Sequence, residues 1–161
     1  VENKFQKMLE QASYLAEDQE FEEAIILYDK ILQSDPKHIP ALLDKAATLQ
    51  RMGKNSQSFQ LYNSVLNEEP KNLDALVGKG TLLHAKSKFI DAIQCYDVAL
   101  KFKPRFAMAL AYKGMSLGEL GKFNDALSCF KKALVIDKDY DLANMGKQKA
   151  LELLKSKKSK K

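Results

Sequence analysis

The chain has no tryptophan, only two cysteines, two histidines and four prolines, and seven glycines in 161 residues. Two cysteines cannot supply the framework of a disulfide-held domain. So few prolines and glycines exclude a collagen-like or linker-type chain. Apolar runs are short, as at Ala24–Tyr28 and Phe106–Tyr112, and none has the length of a membrane-crossing helix. No charged-then-apolar leader opens the sequence. Val1, in place of an initiator Met, points to a trimmed chain or a piece of something larger. What is present, 45% apolar and 29% charged residues, is the profile of a folded, soluble protein.

The net charge of +5 is local. Lys155, Lys157, Lys158, Lys160 and Lys161 stand within the last seven residues, and without them basic and acidic residues balance at 21 each. The basic character therefore belongs to a tail, and global charge gives no argument for a nucleic-acid partner.

Three of the prolines, Pro36, Pro70 and Pro104, are 34 residues apart. A period of that size indicates a repeat architecture, and the other columns keep the same phase. Met8, Leu42, Leu76 and Leu110 align, as do Leu15, Leu49, Leu83 and Leu117. Small residues recur at Ala12, Ala46, Gly80 and Gly114, and again at Ala24, Ser58, Ala92 and Ala126. Tyr28, Tyr62, Tyr96 and Phe130 make an aromatic column, followed by Ile31, Val65, Ala99 and Ala133.

Within each repeat the apolar residues recur at three and four, which is helical spacing. Gly53-Lys54-Asn55 and Gly121-Lys122-Phe123 mark a turn between two apolar stripes. The spacing predicts helix pairs at about 5–18 and 22–34, 39–52 and 56–68, 73–86 and 90–102, and 107–120 and 124–136. Each helix stops before the next proline, which disfavours helical geometry in the residue preceding it. A final unpaired helix is expected from Asp141 to Leu154. Its apolar side, Leu142, Leu151 and Leu154, would cover the last open edge.

These residues resemble the tetratricopeptide repeat, a 34-residue helix-turn-helix unit. The third and fourth repeats carry the resemblance best, through Leu76, Lys79-Gly80, Leu83, Ala92, Tyr96, Ala99 and Pro104, then Leu110, Lys113-Gly114, Leu117, Ala126, Phe130 and Ala133. The chain departs from the pattern in lacking Trp, in Asn55 where other repeats have Phe21, Phe89 and Phe123, and in Lys138 where the fourth proline would stand. The resemblance implies an all-α fold: a right-handed α-α superhelix of four repeats (about 5–38, 39–72, 73–106 and 107–140) with a capping helix at about 141–154. Residues 155–161 are expected to be a disordered basic tail.

No residue pattern for catalysis stands out. His38 and His84 are far apart and in no metal-binding spacing. His38 is expected to be a solvated turn residue, and His84 a contact residue on a first helix. Gly78-Lys79-Gly80-Thr81 falls inside a helix and is no phosphate loop. Cys95 and Cys129 occupy equivalent sites on neighbouring helices, whose spacing of roughly 8–10 Å exceeds the ~7 Å reach of a disulfide. Free thiols suit a cytoplasmic setting. The chain is therefore expected to be no enzyme and to hold no cofactor or metal.

The resemblance implies that the first helices line a concave groove for a partner's peptide or amphipathic helix. One subclass grips a C-terminal carboxylate with Lys, Asn and Arg. Here those places hold Leu9, Ser13, Asp44, Asp74 and Gly78, or one repeat later Leu43, Ala47, Gly78, Met108 and Tyr112, and neither set can clamp a carboxylate. The expected groove is apolar: Leu9, Leu43, Ala47, Val77, Met108, Ala111, Tyr112 and Met115, continued by Leu142 and Met145, with His84 on the same side. Arg51, Glu17 and Glu119 would sit at its edge. The protein is expected to be a scaffold for a protein or peptide ligand, without a small-molecule substrate. The alternatives are association of the basic tail with RNA, DNA or an anionic membrane, and a role as the repeat region of a larger assembly or enzyme. Self-association through the solenoid ends is a further expectation.

Overall fold

The computed structural model describes residues 2–158, and within them every regular element is a helix. In chain order these are α1 (Glu2–Glu17), α2 (Phe21–Ser34), α3 (Ile39–Arg51), α4 (Asn55–Glu68), α5 (Leu73–Ala85), α6 (Phe89–Phe102), α7 (Ala107–Glu119), α8 (Phe123–Ile136) and α9 (Asp141–Lys158). The pairs fall within a residue or two of the predicted ones, except at the two chain ends. The chain divides into two compact units, residues 1–78 and 79–161, with the boundary inside α5.

Each turn between paired helices is closed the same way. The second residue after the first helix takes the left-handed conformation at Gln19, Gly53, Ser87 and Gly121, with φ of 68, 75, 57 and 72°. One residue on, the amides of Glu20, Lys54, Lys88 and Lys122 donate back to the carbonyls of Leu15, Leu49, Leu83 and Leu117 at 2.8–2.9 Å. This is the Schellman closure, which satisfies the orphan carbonyls of a helix end. Two of the four left-handed positions lack glycine, so the turn geometry is held at Gln19 and Ser87 against residue preference.

The second helices end with the amides of Asp35, Glu69, Lys103 and Asp137 donating to Ile31, Val65, Ala99 and Ala133, and a proline follows in the first three. The first helices of the second and third repeats then begin on a capping side chain. His38 is not the solvated turn residue expected. It is half-buried, its Nδ1 accepts the amide of Ala41 at 3.2 Å, and its ring meets Phe5 edge-on. Asn72, one period later, accepts the amide of Ala75 at 3.0 Å. Both satisfy an amide that the first helical turn leaves without a partner.

In each unit the core sets aromatic rings against small residues. Tyr28, Tyr62, Tyr96 and Phe130 are all buried. A Cβ placed on Gly80 would lie 2.4 Å from the Tyr96 ring, and one on Gly114 would lie 2.8 Å from the Phe130 ring. Ser58, fully buried, donates to the carbonyl of Ala46 at 2.7 Å. The small columns therefore exist because rings lie on the backbone there.

α9 does not stop at Leu154. It continues through Lys155-Ser156-Lys157 to Lys158, which corrects the expectation of a disordered tail for those residues, and residues 159–161 lie outside the described part. No Gly or Pro interrupts the segment, and lysines suit a helix C-terminus. The Ser156 hydroxyl donates to the Leu153 carbonyl at 2.9 Å, and the Lys157 ammonium stands 4.5 Å from the centre of the Phe123 ring.

Candidate functional site

In the N-terminal unit the expected groove residues behave unequally. Leu9 packs partly against the cluster of Ala12, Ala16, Ala24 and Tyr28. Leu43 is half-buried and Ala47 exposed. Val77 is buried, at 4% exposure, so it packs between helices and is not available to a ligand. Asp44, beside Leu43, accepts a long hydrogen bond of 3.4 Å from Ser13. Burial, with a smaller contribution from Asp74, holds its carboxyl above the usual range. Arg51 does not sit free at an edge: it donates to the carbonyl of Ala16 at 2.8 Å and lies 4.8 Å from the centre of the Phe21 ring. It closes the C-terminus of α1.

The C-terminal unit corrects the set once more, because Ala111 is fully buried. Its neighbours on α7 point to different places. Met108 is 42% exposed at the start of the helix. Tyr112 stacks on Tyr96 with ring centres 6.1 Å apart. His84 Nδ1 lies 2.8 Å from the Ser116 hydroxyl, and its ring meets Phe89 edge-on. Burial lowers its pKa, opposed by Glu119. These contacts make His84 part of the packing. Cys95 and Cys129 are free, and burial pushes both thiols up, the opposite of what a reactive thiolate needs.

Met115 and Met145 come together with Leu142 in a cavity of about 420 Å³ between α7, α8 and α9. Its size falls in the range of about 300–1,000 Å³ typical of ligand pockets. Glycines create it. Gly114 and Gly146 leave the Phe130 ring in contact with bare backbone, where added Cβ atoms would lie 2.8 and 2.4 Å from the ring. Gly118 also lines the cavity, and a Cβ there would meet nothing within 4 Å. Phe123, Leu153 and the exposed Met145 side chain complete apolar walls. At the rim Lys149 approaches Glu119 at 3.9 Å, both side chains being largely in water. Such a pair contributes about 0–1 kcal/mol and gives way readily.

The sequence reading missed Gly118, Phe123, Lys149 and Leu153. A signal did exist for Gly118, a helical glycine outside both small-residue columns, at the position where the second repeat has Gln50. A cavity made by absent side chains leaves no apolar residue to notice.

Comparison with known proteins bears out the resemblance. A Tetratricopeptide repeat family model matches residues 109–140. No curated protein matches the chain. Among solved structures, TTC0263, a thermophilic TPR protein from Thermus thermophilus, is similar at 19% identity and a TM-score of 0.79, over 92% of this chain and 87% of its own. A tetratricopeptide repeat protein from Parabacteroides merdae is similar at 18% identity and a TM-score of 0.77, over 94% of this chain and 60% of its own. MamA is similar at 18% identity and a TM-score of 0.74, over 96% and 90% respectively. The fold is thus that of the tetratricopeptide-repeat solenoids. It serves generally as a protein–protein interaction scaffold and is typically non-enzymatic. Among the described residues no helix is long and apolar enough to cross a membrane.

Proposed function

We propose that the chain is a non-enzymatic scaffold that binds an apolar peptide or amphipathic helix of a partner protein, anchored in the cavity between α7, α8 and α9. The cavity carries the reading: it is open, walled by Met115, Leu142, Met145 and Leu153, and floored by a phenylalanine ring on bare backbone. Methionines suit such a site because their side chains re-pack around varied partners. Helix-in-groove recognition needs an apolar slot of this kind. Asp44 and Asp74 leave the N-terminal unit unsuited to gripping a carboxylate. The two free thiols suit a cytoplasmic setting.

Gly118→Leu tests this directly, since the new side chain enters open space and removes a helix-interior glycine. The variant should fold at least as stably as the parent. Proteins retained from native lysate by the parent should be lost, by at least about tenfold in affinity (~1.4 kcal/mol). Met145→Asp should act in the same direction, as it puts a charge where an apolar face must dehydrate. The control is Lys131→Asp with Lys132→Asp on the exposed side of α8, which should leave binding unchanged. Retention of the same partners by both cavity variants, or their loss in the α8 control, places the binding surface elsewhere.

A further inference from the structure

We infer that the segment this cavity takes is acidic: an apolar anchor flanked by Asp or Glu, read jointly by the pocket and by the lysines of α9. The inference rests on the cavity being the binding site and adds the charge of its occupant. Lys155, Lys157 and Lys158, expected to form a separate tail, are part of the same element as the pocket wall. α9 carries five lysines against two acids, Asp141 and Glu152. Of these lysines, Lys149 lines the cavity, and Lys157 stands over Phe123, a residue of the same cavity, at 4.5 Å from the ring centre. The apolar wall and the cationic side chains therefore occupy consecutive turns of one helix, with Ala150 and Leu153 between the two lysines.

The acids near the mouth do not cancel this charge. Glu119, the one acidic residue lining the cavity, is already faced by Lys149. Its pair is solvent-exposed and separates at little cost, so an incoming carboxylate can take Lys149 in its place. Lys157 spends its charge on a ring face, an interaction that leaves the ammonium open to an anion. An apolar segment flanked by lysines would meet like charge on both sides of its anchor, which disfavours it.

This reading predicts salt dependence for a pocket that apolar contact alone would make nearly indifferent to salt. The probe is a fluorescently labelled helical peptide with Leu at i and i+4 and Glu at the flanking positions. Its comparators carry Lys at those positions, or keep Glu and replace both Leu by Ala. Anisotropy titrations with the full chain should show the Leu/Glu peptide binding at least about tenfold more tightly than the Leu/Lys peptide at about 0.1 M salt. The gap should close toward 1 M, where the Debye length falls from ~10 to ~3 Å. Gly118→Leu should abolish binding of the Leu/Glu peptide. Lys149→Glu with Lys157→Glu should invert the preference between the two charged peptides, with circular dichroism confirming an intact fold. Equal binding of both charged peptides, both lost in Gly118→Leu, overturns the acidic assignment and leaves the cavity as the site. Binding of the Ala/Glu peptide as tight as the Leu/Glu peptide, unaffected by Gly118→Leu, overturns both, and leaves a basic helix that attracts any polyanion.

Discussion

At two equivalent places the two units solve the same packing problem differently. In the N-terminal unit Gln50 stands on α3 and Tyr62 reaches it with its hydroxyl, 3.4 Å from Oε1. Two periods later, in the C-terminal unit, the same two places hold Gly118 and Phe130, and a cavity opens. Beside them, Arg51 reaches back to the Ala16 carbonyl, while the equivalent Glu119 lies near His84 and faces Lys149. Ser58 sends a buried hydroxyl to Ala46 where the later repeat has Ala126. The repeat template fixes where helices go but leaves these positions free. Filled with polar side chains that reach across, they tie a unit together, and emptied to glycine they make a binding pocket.

The largest effect should come from the glycines that touch rings. Gly146→Ala puts a Cβ 2.4 Å from the buried Phe130 ring, and overpacking of this kind costs about 1–3 kcal/mol. Gly118→Ala, which meets nothing, should instead stabilise by about 0.5–1 kcal/mol from helix propensity. Urea unfolding followed by circular dichroism reads both, and equal signs would remove the cavity from the account.

The polar ties come next. Arg51→Ala should cost about 1–2 kcal/mol, through the lost hydrogen bond to Ala16 and the lost contact with Phe21. Amide exchange in α1 and α2 should quicken with it. Glu119→Ala, at the equivalent position, should stay within about 0.5 kcal/mol. A comparable loss at both sites would show that the two units are held alike.

The turns allow a smaller test. Ser87→Gly should stabilise by about 0.5–1 kcal/mol, because a left-handed serine is strained and glycine is not. Gly121→Ala should lose a similar amount. Matching thermal midpoints for parent and Ser87→Gly would mean that the turn is not held left-handed in solution.

The smallest change is expected at Tyr96→Phe. The Tyr96 hydroxyl is buried with no partner at good hydrogen-bond geometry among the described residues, and burial with the neighbouring Tyr112 pushes its pKa strongly up, opposed weakly by the nearby Ser116 hydroxyl. Removing the hydroxyl leaves the ring in place, as Phe130 shows in the same column. Stability should change by less than about 0.5 kcal/mol or rise. A loss well beyond that, measured by urea unfolding, would reveal a partner for the hydroxyl.

Most of the fold was legible because it depends on one-dimensional regularities. A 34-residue period with three-and-four spacing specifies helices, turns and their pairing, and prolines mark the ends. The left-handed turn could be read at Gly53 and Gly121 but not at Gln19 and Ser87, where hydrogen bonds to Leu15 and Leu83 impose it. The site was legible only in outline. Met115 and Met145, expected on one apolar surface, line one cavity, but Val77 and Ala111 belong to the interior. Periodicity assigns a residue to a face, and only the neighbouring helix decides which edge of that face it covers.

Sequence by itself therefore determined the helices, the repeat and the small-residue columns, since backbone hydrogen bonding and amphipathic spacing are local properties. Tertiary structure alone decided that Arg51 closes α1, that Lys157 stands over the Phe123 ring of the cavity, and that Gly114, Gly118 and Gly146 together leave a pocket. Each of those depends on residues about 30 or more positions apart meeting in space, and a cavity is defined by atoms that none of them has.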